Sequence, residues 1–205
     1  MSMESVSGRQ FCRFAENMEG SGTVLSEAEN TGLSREEILY LYSEYAGSVY
    51  NFFYYSTGDR EASMDLVNDV FVKVLDKSPT FDHRKGNIKV WLFTVARNTL
   101  RDYLRFRRRV KPCLSIDDAL ELPAPEHSDP EAAAALKADI MSLTQALEAL
   151  NKRERSLIAL KYGAGFRNKD MARLTGMSEK HVGVILCRAL SKLRKHLMMG
   201  DEIDV

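Results

Sequence analysis

The chain is poor in the residues that fix a fold by covalent or metal chemistry. Its 205 residues hold three cysteines, Cys12, Cys113 and Cys187. These lie far apart with no Cys-x-x-Cys pair, which leaves neither a disulfide framework nor a thiolate zinc site; they read as inert packing or surface thiols. The four histidines, His83, His127, His181 and His196, are equally scattered, so no metal and no cofactor is expected. Clustered carboxylates for a catalytic metal and His or Cys nucleophile arrangements are also missing, and no catalytic residue is expected. No apolar run approaches the roughly 20 residues that span a bilayer, and residues 1 to 30 lack the apolar stretch of a secretory signal. The expectation is a cytoplasmic protein without membrane insertion. No segment alternates for long enough to be a strand.

What the chain does have is segregated charge. The 29 Lys plus Arg and 29 Asp plus Glu cancel overall. By segment, the net charge is −3 for residues 1 to 33, +4 for 34 to 111, −6 for 112 to 147, +8 for 148 to 199 and −3 for 200 to 205. Basic blocks alternating with acidic connectors and tails suit folded parts that meet an anionic surface and flexible parts that do not.

Hydrophobic periodicity places the helices. Residues 1 to 33, rich in Ser, Gly and Glu, read as a disordered or weakly helical extension. Order is expected from Ser34, where Ser34-Arg35-Glu36-Glu37 has capping-box spacing. Ile38, Leu41, Tyr45, Val49 and Phe52 then mark a buried face up to Gly58-Asp59. A second helix is expected over about 60 to 77, with Leu66, Val67, Val70, Phe71, Val74 and Leu75 inward. After a loop with Pro79 and Gly86, a third runs over about 87 to 108, burying Ile88, Trp91, Leu92, Val95 and Tyr103. Four of the five prolines, Pro112, Pro123, Pro125 and Pro130, fall in one acidic stretch, so residues 112 to 135 form a flexible linker. Periodicity returns with Leu136, Ile140, Leu143, Leu147 and Leu150. Further helices are expected over about 152 to 162, 168 to 174 and 179 to 198, the last with Val182, Leu186, Ala189, Leu193 and Leu197 inward. The predicted fold is all-α, in two small helical domains, 34–111 and 136–199, followed by an acidic tail.

Three surfaces could carry function. Arg97, Arg101, Arg105 and Arg108 share one face of the third helix as a ridge about 16 Å long. Between Arg84 and Lys111 there are ten basic residues against the single acid Asp102. Solvated faces usually interleave signs, so clustered like charges favour phosphate contact over simple solvation. Upstream, the loop from Phe81 to Asn87, with Arg84 and Lys85, places polar groups and the aromatics Trp91 and Phe93 beside that ridge, a combination suited to unstacked bases. Core packing remains the commoner role for Trp91. Second, residues 168 to 196 read as a helix-turn-helix: Gly176 permits the turn, Ser178 caps the next helix, and His181, Val184, Arg188, Lys192 and Lys195 face outward with Glu179 and Lys180 in the first turn. Third, Asp65, Asn68, Asp69 and Asp76 share a polar face of the second helix. It is either solvated or docks a basic partner.

DLVNDVF at 65 to 71, VWLFTVARNTLRDYLRFRRR at 90 to 109 and the C-terminal helix-turn-helix together resemble a bacterial extracytoplasmic-function (ECF) sigma factor of RNA polymerase. The resemblance covers about residues 35 to 111 (sigma domain two) and 136 to 199 (sigma domain four). It implies that Asp65, Asn68, Asp69 and Phe71 dock on the clamp of the largest subunit of core RNA polymerase. The loop from Asp82 to Ile88 would then capture a flipped minus-10 base, with Arg84, Lys85, Asn87, Trp91, Arg97, Asn98, Arg101, Arg105 and Arg108 as the minus-10 surface. Ser178, Glu179, Lys180, His181, Val184, Arg188 and Lys192 would read the minus-35 element of promoter DNA. The flap of the second-largest subunit and an anti-sigma factor are further implied partners. The acidic linker, long enough to span about 80 Å if extended, would thread toward the active-site cleft or serve simply as a tether.

The chain also departs from the family pattern. His181-Val182-Gly183-Val184-Ile185 stands where Thr-Val-Lys-Ser-Arg is common, which removes two charges expected to face phosphate and places a Gly mid-helix at about 1 kcal/mol relative to Ala. Asn151 stands where Pro is usual, and Asn68 and Asp69 where Gln and Glu are. A stand-alone helix-turn-helix regulator is the alternative, but it would need a dimerising face, and no heptad run supplies one.

Overall fold

The computed structural model describes residues 32–84, 86–110 and 142–200. Expectations for residues 1 to 31, Lys85, the linker 112–135, Leu136, Ile140 and the acidic tail from Asp201 onward lie outside them. The described residues are helical, with no β-strand. In chain order the helices are α1 (Arg35–Thr57), α2 (Arg60–Lys77), a 3-10 turn (Ser78–Thr80) and α3 (Ile88–Val110), then α4, described over residues 142 to 148. They continue with α5 (Lys152–Ile158) running into a π turn (Ala159–Gly163), α6 (Asn168–Thr175) and α7 (Glu179–Gly200). The chain clusters into two units, residues 1–50 with 64–113, and 51–63 with 114–205.

In the first unit the start of α1 is closed as its residue types predict. Ser34 Oγ accepts from the Glu37 N–H at 3.2 Å, and Glu37 Oε2 accepts from the Ser34 N–H at 2.8 Å. This reciprocal cap satisfies donors that the first helical turn leaves orphaned. The core is built from Ile38, Leu41, Tyr42 and Val49 of α1, Leu66, Val67, Val70, Phe71 and Val74 of α2, and Leu92, Phe93, Ala96 and Leu100 of α3, all buried. Each large side chain among them contributes about 1.5–3 kcal/mol by leaving water. Tyr42 meets Phe71 edge to face at 4.8 Å, and the buried Thr99 hydroxyl takes a hydrogen bond from Lys73 Nζ at 3.1 Å, tying α2 to α3. Leu33, assigned from its position to the polar extension, is only 6% exposed and is buried with this core.

In the second unit Leu147, Leu150, Leu157, Ile158, Leu160, Met171, Leu174, Val182, Leu186, Ala189 and Leu193 are buried. Asn151 caps α5 by a full capping box. Its Oδ1 accepts from the Arg153 and Glu154 N–H groups, both at 3.0 Å, and Glu154 Oε2 accepts from the Asn151 N–H at 3.0 Å. The predicted helix over 152 to 162 is not one regular helix. It widens after Ile158 into a π turn, closed by Ala164 N–H to the Ala159 carbonyl at 3.0 Å. Within this unit Arg155 Nε donates to the Tyr55 carbonyl at 2.9 Å. A Cβ at Gly163 would come within 2.7 Å of the Tyr55 ring, so the turn requires Gly there. Leu197, expected inward, is 38% exposed, because α7 runs on past the last buried position, Leu193.

Candidate nucleic-acid interface

Helix α3 carries the cationic ridge. Arg101, Arg105 and Arg108 are exposed, whereas Arg97 and Asn98 at its start are half-buried. Burial, followed by the neighbouring Arg101 charge, lowers the Arg97 pKa from its usual value. The one acid in the ridge, Asp102, comes only to 4.0 Å from Arg101 Nε, both side chains in water, a geometry that neutralises little. The ridge therefore keeps most of its positive potential.

The loop before α3 is built by local polar chemistry. Asp82 Oδ1 accepts from the Arg84 N–H at 2.9 Å, the side-chain-to-backbone bond of an Asx turn. Asn87 is the N-cap of α3: its Oδ1 accepts from the Lys89 N–H at 2.8 Å and its carbonyl from the Trp91 N–H at 3.1 Å. Trp91 is half-buried with its ring centroid 5.0 Å from Phe81, and Phe81 meets His83 edge-on at 4.9 Å. Beside this loop lies a pocket of about 420 Å³, lined among others by Glu37, Tyr40, Tyr45, Phe81, His83 and Asn87. Its lining sets the rings of Tyr40, Tyr45 and Phe81 beside the polar groups of Glu37, His83 and Asn87.

Helix α2 turns a different face to water. Asp65, Asp69 and Asp76 are exposed, Asn68 is half-buried, and Val72, on the same face, is 50% exposed. Phe71 does not belong to this surface. Its ring is fully buried against Tyr42, and its expected role as a docking residue is corrected to core packing.

The helix-turn-helix forms as its residue types predict. Gly176 closes α6 in the left-handed region at φ 72°, its N–H bonded to the Ala172 carbonyl, a conformation that costs Gly little. Ser178 caps α7 through Oγ to the His181 N–H at 3.2 Å. Glu179, Lys180, His181, Val184 and Arg188 face outward. Lys192 is exposed but already has a partner within its own unit: its ammonium lies 2.8 and 2.9 Å from the two oxygens of the buried Glu154 carboxylate, a bond that competes with any contact to DNA. That hydrogen bond is the largest cause holding the Glu154 pKa below the usual carboxylate value, against the opposing effect of burial. Among the described residues no group of three or more His, Cys, Asp or Glu is placed to hold a metal ion, and no helix is long and apolar enough to cross a membrane.

Two family models match the chain: Sigma-70 region 2 over residues 41–110 and Sigma-70, region 4 over residues 140–193. The ECF RNA polymerase sigma factor SigL of Mycobacterium tuberculosis is 30% identical over 155 residues, 75% of this chain and 85% of that protein. The chain belongs to the ECF sigma factors of RNA polymerase. SigX of Bacillus subtilis, of the same family, is 26% identical over 171 residues, 80% of this chain and 88% of its own length. The fold is shared with the sigma factor RpoE of Bartonella quintana, solved in complex with the anti-sigma factor NepR, at a TM-score of 0.62 and 24% identity over 83% of this chain and 98% of that one.

The departures of this sigma factor from its family now have structural readings. Asn151, in place of Pro, does not weaken the helix start, because its side chain builds a reciprocal cap that Pro cannot make. Ile185 is buried at 8% exposure and faces the core. Gly183 is half-buried and so lies nearer the surface than Ile185.

Proposed function

We propose that this sigma factor joins core RNA polymerase, directs it to a promoter and helps open the minus-10 region, the polymerase supplying all the chemistry. The observation that carries this reading is the separation of charge within one unit: an acidic, partly apolar face on α2, and a cationic ridge on α3 preceded by a loop that lines an aromatic pocket with α1. The acidic face suits a basic protein surface, with Asp65, Asn68 and Asp69 docking on the clamp of the largest subunit. The ridge suits phosphates, and the loop residues Arg84, Lys85 and Asn87 suit unstacked minus-10 bases beside Trp91.

In the helix-turn-helix unit, Ser178 to Arg188 would lie in the major groove of the minus-35 element, Ser178 itself serving mainly as the cap. That unit would also meet the flap of the second-largest subunit. A cytoplasmic location follows from work on polymerase. An anti-sigma factor is a further proposed partner, as NepR is for RpoE.

The test is holoenzyme assembly. Asp65→Arg with Asp69→Arg reverses two exposed charges, so it should leave the fold intact and abolish co-purification of core polymerase subunits with the tagged chain. Undiminished co-purification would assign the docking surface elsewhere.

A further inference from the structure

The residues just ahead of α1 are bonded to the loop just ahead of α3. The Gly32 N–H donates to the Phe81 carbonyl at 2.9 Å and the Leu33 N–H to the Ser78 carbonyl at 3.0 Å. Leu33 is buried, which anchors the segment. His83 closes the arrangement from the loop side: its Nε2 lies 3.3 Å from the Gly32 carbonyl and 3.5 Å from Glu37 Oε1. Phe81, held at its backbone by Gly32, carries the ring that packs on Trp91 in the first turn of α3.

Gly32 is required for this closeness. It adopts φ 108°, outside the range that L side chains readily use, and a Cβ there would sit 3.3 Å from both Pro79 Cα and the Ser78 carbonyl oxygen.

We propose that Gly32 and Leu33, latched by His83, form a strap that holds the loop before α3 in its promoter-reading shape. Gly32, Leu33 and His83 are positioning residues that act through Phe81 and Trp91. The proposal rests on the reading of that loop as the minus-10 contact. A loop tied at one end only would sample several shapes, and each base captured would have to wait for the competent one. The strap removes that waiting by joining the loop to a capped helix end.

Trp91 is the chain's one tryptophan, so its emission reports the strap directly in the full-length protein. Gly32→Ala and His83→Ala should each red-shift that emission and increase its quenching by acrylamide, with helical circular dichroism unchanged. His83 is exposed, so its replacement should leave the core folded. His83→Gln, which keeps a donor for the Gly32 carbonyl, should return toward the wild-type spectrum.

For function, holoenzyme reconstituted from the full chain and core polymerase is selected against a random single-stranded DNA library, and the selected sequence becomes the probe. Both strap variants should bind it roughly tenfold more weakly, the loss expected if the loop holds the competent shape about a tenth of the time, while core binding is unchanged. Failure of the wild-type chain to select any sequence would sink the loop's minus-10 reading, and the functional half of the strap proposal with it. A selected sequence bound equally well by both variants, or Trp91 equally shielded in them, would overturn the strap alone.

Discussion

Lys192 and Glu154, distant in sequence, form a two-point ion pair: one ammonium within 2.9 Å of both oxygens of a carboxylate that is only 6% exposed. The same carboxylate closes the cap of α5. Helix α7 is thereby pinned to the first turn of α5, and Lys192 serves the fold whatever else it contacts. Lys192→Ala leaves a buried acceptor short of its donor, a deficit of about 1–3 kcal/mol. The lower end is expected because the ammonium is itself about half-exposed and water can partly replace it. Urea denaturation should show this loss and its partial recovery in Lys192→Arg. A purely DNA-contacting lysine would leave the unfolding curve unmoved.

The same pair sets a pH dependence. Glu154 is held below its unfolded value, chiefly by the Lys192 hydrogen bond, so the unfolded state binds the proton more readily. Its contribution is present above the ordinary range of an unfolded carboxylate and is lost as pH falls through the lower folded pKa. Unfolding midpoints taken across acid pH should fall more steeply for the wild type than for Glu154→Gln, which starts lower and lacks this titration. Parallel curves would exclude the linkage.

Gly183 is a correctable weakness. A Cβ there would meet only Asn168 Nδ2, at an ordinary 3.9 Å. Gly183→Ala should stabilise α7, and with it the second unit, by about 1 kcal/mol, measured as a rise in the denaturation midpoint.

At Asn87 two roles must be separated. Asn87→Ala removes the cap of α3 and costs about 1 kcal/mol whatever the residue does to DNA. Asn87→Ser keeps a capping oxygen and removes the side-chain amide. A defect in promoter opening that persists in the Ser variant, with stability near wild type, identifies base contact; recovery in that variant assigns Asn87 to the cap alone.

Arg101, Arg105 and Arg108 should each contribute one phosphate contact. Replacing any of them by Ala should weaken promoter binding across sequences and reduce the slope of log K against log salt by about 0.7–0.9. An unchanged slope would return that arginine to the solvent.

Much of this was legible before the structure. Helix bounds followed from periodicity because the cores are made of contiguous apolar stripes. The caps at Ser34 and Ser178 and the turn at Gly176 followed because capping and positive φ are local chemistry. Long-range pairings were illegible: nothing in the spacing joins Glu154 to Lys192, Lys73 to Thr99 or Gly32 to Phe81. At Phe71 the family likeness points to a surface and the periodicity points inward, and the side chain is buried as the periodicity requires. The cap at Asn151 does have a sequence signal, the Glu three residues on at Glu154, which the comparison with Pro alone does not bring out.

Glu37 uses one oxygen for the Ser34 amide and presents the other to His83. A single carboxylate thus links two stretches of chain that no short-range rule connects. In a genetic selection, suppressors of a crippled loop ahead of α3 should accordingly arise at the entrance to the first helix, and lesions at that entrance should be repaired from the loop.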